Sequence, residues 1–372
     1  PVSGWDEKYW TVKEGSLPSF GAYIQSSLTI DGVTVDLNVS VTDGVAAAST
    51  ATVDVGSEVE DIAEAIVTLN GTNYVGSISN GVLSFDVSAS VYGNQTFVVT
   101  GASGNAEYTI VINAFVATKT IATEADLQSI SAIETALGGD GYYMLTADVT
   151  MSARGWYWPY GDAAVNYIIG LGHTFIGTID GNGHKIIGLT LAEMYDVNTT
   201  SGFISQFGAG GVLKNIAFID ASFKHKAGLI QGGSSGSTGG VIENVYIGIK
   251  SYDSANQNGY GLFGPSYNNY TFTMKNVIVD YTGVTISNIE GRTNVNLFGS
   301  FGYYTTFSNV AVIGVPTELS SYVGNIRDEW KNKVYIGYSD GTNNGVETPL
   351  NGWNEAFWTV DAENKTVTWK QK

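Results

Sequence analysis

The chain has 372 residues, a net charge of −18, 47 glycines, 6 prolines and no cysteine. The lack of cysteine excludes a disulfide scaffold, a thiolate metal site and a cysteine nucleophile. The acidity, with a pI of about 4.4, argues against nucleic-acid and anionic-membrane partners, whose phosphates need Lys and Arg. No apolar run is long enough for a membrane helix, which takes about 18 residues.

Thr, Val, Ile and Tyr are abundant, and glycine punctuates short β-branched runs, a pattern of strands and tight turns. Charge is uneven: residues 1–115 carry 13 acids against 2 lysines, and the remainder 22 acids against 15 basic residues. A domain boundary is expected near residue 115. The acidic surface is compatible with loosely held calcium, and no cofactor is expected.

The opening Pro1-Val2-Ser3-Gly4 has no secretory pattern, so the chain is expected to be processed or part of something longer. Residues 24–115 read as about seven short strands, an Ig-like β-sandwich or another small sandwich. Asp31-Gly32, between Ser27–Ile30 and Val33–Val41, is a hairpin signal, as is Asn80-Gly81 between Ser77–Ile78 and Val82–Val87. Ile62–Leu69 leads into Asn70-Gly71, and Gly101–Gly104 separates the last two strands.

Residues 123–137 read as a helix. Thr123 can cap it, with Asp126 at the reciprocal capping-box position. Leu127, Ile130, Ile133 and Leu137 form the apolar stripe, and Gly138-Gly139 ends it. A short helix ahead of a repeat array would cover the open end of a β-helix.

The remainder, 116–372, is repetitive. Gly202-Phe203-Ile204, Gly228-Leu229-Ile230, Gly261-Leu262-Phe263 and Asn296-Leu297-Phe298 are followed by Asn215-Ile216, Asn244-Val245, Asn276-Val277 and Asn309-Val310. Ile186-Ile187 fits one step before Asn215. Self-similarity at this period marks a solenoid, here a right-handed parallel β-helix. The recurring Asn215, Asn244, Asn276 and Asn309 are expected in one column, their amides bonded in a ladder. The plain alternative is four asparagines in ordinary turns.

From Ile121 onward the chain resembles bacterial surface proteins with GLUG-type repeats. The resemblance rests on Tyr142–Val149, on Trp158-Pro159-Tyr160-Gly161, on Phe175–Ile186 with its Asp180-Gly181-Asn182-Gly183-His184 stretch, on the coils above, and on the closing Phe357-Trp358-Thr359-Val360. It departs at Tyr160, where isoleucine is usual. It implies a β-helix on adhesin-like or fibre proteins, often beside Ig-like domains, and no catalytic residues. Gly4-Trp5 … Tyr9-Trp10-Thr11-Val12 echoes Gly352-Trp353 … Phe357-Trp358-Thr359-Val360, and Gly15–Phe20 is similar to the family's usual ending. Residues 1–23 therefore read as the tail of a preceding module, or as a coincidental Trp-rich strand.

Parallel β-helices also include pectinases, which need clustered acids. The coil acids here, Asp220, Glu243, Asp253, Asp280 and Glu290, show no recurring pair. Asp180–Gly183 reads as a tight turn rather than a calcium loop, and His173, His184 and His225 are scattered. Trp156, Tyr157, Trp158 and Tyr160 form an aromatic cluster, fit for core packing or for stacking on sugar rings.

The expectation is a non-enzymatic structural or adhesive module, on a bacterial cell surface or a virion. Its partners would be copies of itself or neighbouring modules head to tail, a surface glycan, or a host protein. A carbohydrate-binding module on a glycan-utilisation protein is the second reading, and a polysaccharide lyase or hydrolase the third.

Overall fold

A computed structural model describes residues 10–11, 19–20, 24–47, 49–152, 169, 173–192, 202–224, 227–230, 239–253, 261–263, 271–288, 297–299, 301, 304–323 and 332–370. The protein is almost entirely β. It divides into two compact units, Pro1–Lys119 and Thr120–Lys372.

In the first unit seven strands form one sheet. In spatial order they are Ile24–Asp36, Ala106–Ala117, Gly93–Ser103, Ile62–Leu69, Thr72–Ser79, Val82–Val87 and Ser49–Asp54. Ile24–Asp36 runs parallel to Ala106–Ala117, and the other pairs are antiparallel. The sheet is nearly closed: its two edge strands, Ile24–Asp36 and Ser49–Asp54, come into contact. Gly76 pairs with both Ala65 and Phe85, and a side chain there would meet Ser84 O at 2.8 Å. The inner faces close on Val53, Val67, Leu83, Ile110 and Ile112, all buried, with Phe85 edge-on to Phe97 at 5.3 Å. Alternation of buried and exposed residues along Ser49–Asp54 shows why this sequence makes a half-buried strand.

Asn70-Gly71 and Asn80-Gly81 do turn hairpins, all four residues at positive φ. Asp31-Gly32 does not. The strand runs straight through it, and Gly32, at φ +73°, lies where the register against Ala106–Ala117 shifts. The permissive glycine absorbs the extra residue of a β-bulge instead of reversing the chain.

The second unit opens on helix Glu124–Ala136. Thr123 Oγ1 accepts from Asp126 N–H at 3.2 Å, and the Asp126 carboxylate accepts from Thr123 N–H at 3.0 Å, a complete capping box. Leu127, Ile130 and Ile133 are buried. Gly138 and Gly139 end the helix at φ +72° and +92°. Fully buried Glu134 meets His173 Nε2, and Gly139 O accepts from Ile176 and Gly177 N–H, so the helix is pinned to the first coil.

From there parallel strands stack in one long sheet: Tyr142–Leu145, Thr178–Asp180, Val212–Lys224, Gly240–Asp253, Phe272–Asp280, Thr306–Val315 and Val334–Tyr338. A second column joins Gly202–Ile204 to Gly228–Ile230 and continues by bridges to Phe263 and Gly299. This is a parallel β-helix. Its interior holds Ile216, Val245, Val277, Val310 and Val334, one per coil, all buried. Aromatic rings also stack through it: Phe175 on Phe207 at 6.4 Å and Phe207 on Phe272 at 6.4 Å.

Two register expectations need correction. Ile186 lies opposite Phe218, not Asn215, because the Gly181–His184 turn lengthens that coil at the corner. At the last coil Phe263 bridges Gly299 rather than Phe298. The backbones approach so closely there that a Cβ at Gly299 would lie 2.5 Å from Phe263 O.

The last strands, Trp358–Asp361 and Thr366–Trp369, form an antiparallel hairpin. They do not add a coil. Trp353, Trp358 and Val367 bury against Ile278 and Ala311, which point outward from the long sheet.

Candidate functional site

The long strands bend at one recurrent place. Asn215, Asn244, Asn276 and Asn309 have φ of 54°, 54°, 55° and 54°. Left-handed backbone is costly for most L-residues and tolerated by asparagine. The bend also breaks the period of two. Leu213 and Ile216, three positions apart, both point inward, which an unbroken strand would forbid.

At the bend each amide donates to the one before it. Asn309 Nδ2 donates to Asn276 Oδ1 at 2.9 Å, Asn276 to Asn244 at 2.9 Å, and Asn244 to Asn215 at 3.0 Å. Asn215 Nδ2 donates to Asp180 Oδ1 at 3.0 Å. The column therefore ends on a carboxylate. Asp180 also accepts from Tyr142 Oη at 2.5 Å and Asn182 N–H at 2.8 Å, and lies 3.4 Å from Lys214 Nζ. Burial, then the hydrogen bond and charge of Asp180, push the Tyr142 hydroxyl well above the ordinary tyrosine range. Sequence reasoning placed Asp180 only in a turn. Its strand opposes Lys214, one residue short of the asparagine column, so periodicity could not find it.

A second cluster lies on the outside of the coils. Beside the closing hairpin is a cleft of about 330 Å³, lined by Lys185, Ile187, Ile219, Tyr246, Asp280, Ile313, Val367, Thr368 and Trp369. Tyr246 Oη donates to Asp280 Oδ2 at 2.7 Å, and Thr282 N–H donates to Oδ1 at 2.8 Å. Burial and the nearby Asp280 charge raise the Tyr246 hydroxyl above its usual value. Trp369 is fixed by stacking on Phe357 at 5.8 Å and by an edge contact with Trp358 at 5.0 Å. Sequence reasoning missed this cleft.

Other residues singled out earlier fall elsewhere. Trp156, Tyr157, Trp158, Tyr160 and His225 lie outside the described residues. His184 Nδ1 lies 3.3 Å from Asp148 Oδ1, and Asn182-Gly183 turns the chain at positive φ. Among the described residues no group of three or more His, Asp or Glu could hold a metal ion, and no helix is long and apolar enough to cross a membrane. Of the N-terminal segment, Trp10–Thr11 and Ser19–Phe20 pair antiparallel, Trp10 opposite Phe20. Trp358, which echoes Trp10 in sequence, stands opposite Trp369.

Compared with known proteins, a stretch of 122 residues is 31% identical to Halomucin of Haloquadratum walsbyi (strain DSM 16790 / HBSQ001). The match covers 32% of this chain and 1% of that protein, so the chain spans a very small part of the curated relative it matches. No family model and no solved structure matches the chain.

Proposed function

We propose that this chain is a non-catalytic structural or adhesive module of an extracellular fibre, on a cell surface or a virion. The observation that carries the reading is the asparagine column inside a continuous parallel core. It ties successive coils together along the solenoid and is suited to a stiff spacer. The match to a short stretch of Halomucin and the resemblance to GLUG-repeat surface proteins support an external location. Among the described residues that line the cleft the one acid is Asp280, whereas glycoside hydrolysis uses a carboxylate pair.

The module is proposed to join copies or neighbouring modules head to tail. The Trp-centred antiparallel pairing found near both ends supports this. Antibodies against the purified protein should label intact source cells or virions. Labelling only after permeabilisation overturns the location, and sugar release from common polysaccharides by the pure protein overturns the non-catalytic reading.

A further inference from the structure

We propose that the cleft between the closing hairpin and the outer face of the β-helix binds a neutral saccharide unit of mono- or disaccharide size. This goes beyond the structural role and does not depend on it.

The cleft is amphipathic in the way a sugar ring is. Ile187, Ile219 and Ile313 supply aliphatic wall, and Trp369 and Tyr246 supply aromatic surface. Such surface suits the C–H face of a pyranose. The polar groups are of both kinds. Asp280 is an acceptor held in place by Tyr246 Oη and Thr282 N–H, and a carboxylate has about four lone-pair sites, so two donors leave capacity for ligand hydroxyls. Tyr246 keeps its proton on the Asp280 side, which leaves its oxygen able to accept. Lys185 supplies an ammonium, 3.6 Å from Asp148 Oδ2, and Thr368 a hydroxyl.

The charge balance selects among ligands. A cationic group would suit Asp280, the aromatic rings and the nearby Asp220 charge, and meets the Lys185 ammonium, which is shared with Asp148. An anion meets Asp280 and a strongly acidic protein. A polar ligand without net charge uses both. The volume, about 330 Å³, lies at the small end of ligand pockets, which run from about 300 to 1,000 Å³, so an extended chain would occupy it with only one or two units. The Trp369 ring is immobilised by two neighbouring aromatics, so little ordering is needed on binding.

The test is titration of the full chain with neutral saccharides built from glucose, galactose, mannose, xylose and N-acetylglucosamine, followed by saturation-transfer NMR and calorimetry. At least one should bind saturably, with exchange broadening or shift of the Trp369 indole signal. Asp280→Asn and Lys185→Met should each weaken that binding at least tenfold while leaving the melting temperature close to that of the parent. Trp369→Phe, which keeps a ring, should weaken it less than Trp369→Leu. Absence of saturable binding across the set overturns the proposal, as does binding that survives both Asp280→Asn and Lys185→Met. Either result leaves the structural reading standing.

Discussion

Asn276 donates its side-chain amide to Asn244 Oδ1 at 2.9 Å, although 32 residues separate them in the chain. Both are buried, and both hold the left-handed conformation. One residue type thus meets two demands at once: a bend in the backbone and a bond along the stack. Asn244→Ala removes the amide and places alanine at φ 54°. The lost bond leaves Asn215 Oδ1 and Asn276 Nδ2 without their partner, at a cost of about 1–3 kcal/mol, and the backbone adds roughly 1–2 kcal/mol. Asn244→Gly relieves only the backbone part. Urea unfolding should rank parent, glycine and alanine in falling stability. Equal stability of parent and glycine variants would mean that the amide contributes nothing.

Thr123 and Asp126 close the helix that pins the first coil. Thr123→Ala should cost about 0.5–2 kcal/mol and Thr123→Ser much less, as for other helix N-caps. Thermal denaturation monitored by circular dichroism decides it. An alanine variant as stable as the parent would show the cap to be idle.

Tyr142, Tyr246, Tyr252 and Tyr281 all have hydroxyls pushed above the ordinary tyrosine value, chiefly by burial. The fold therefore favours their neutral form. The stability they confer is fully present below the unfolded tyrosine value of about 10, and it is lost as pH rises from there through the higher folded values. Alkaline titration followed by tyrosinate absorbance should show these four ionising together with loss of tertiary structure. Smooth ionisation of all 22 tyrosines in a folded protein would contradict this.

The N-terminal strand pair carries the assembly prediction. Removing residues 1–20 should lower the number of chains per particle, measured by light scattering under native conditions, if that pair bridges modules. The same number of chains per particle for the shortened and full-length proteins would reduce it to a local hairpin.

Much of the fold was legible because the solenoid writes its period into the chain. The steps of 29, 32 and 33 residues between hydrogen-bonded asparagines follow from one bend per coil. The helix was legible from Thr123, Asp126 and the two glycines after it. Asp31-Gly32 misled because the same dipeptide that turns a hairpin also fits a bulge, and only the partner strand decides between them. Asp180 was missed because it enters the column from the neighbouring register position. The cleft had no sequence signature. Its residues stand on outward positions, which a core-facing pattern leaves unconstrained, and Lys185, Asp280 and Trp369 meet only through the stacking of distant coils and the return of the hairpin.

The asparagine column has a direction. Every amide gives its proton toward the start of the chain, and the run terminates on Asp180, which as a carboxylate has nothing to pass on. A duplicated coil inserted between Asn276 and Asn309 finds a matching donor and acceptor waiting on either side. One inserted beneath Asp180 does not. Growth of such a rod by tandem duplication is thereby one-sided: its length is free to vary above a fixed foundation stone, and lineages of this architecture should differ in the number of coils after Asp180 far more than in what precedes it.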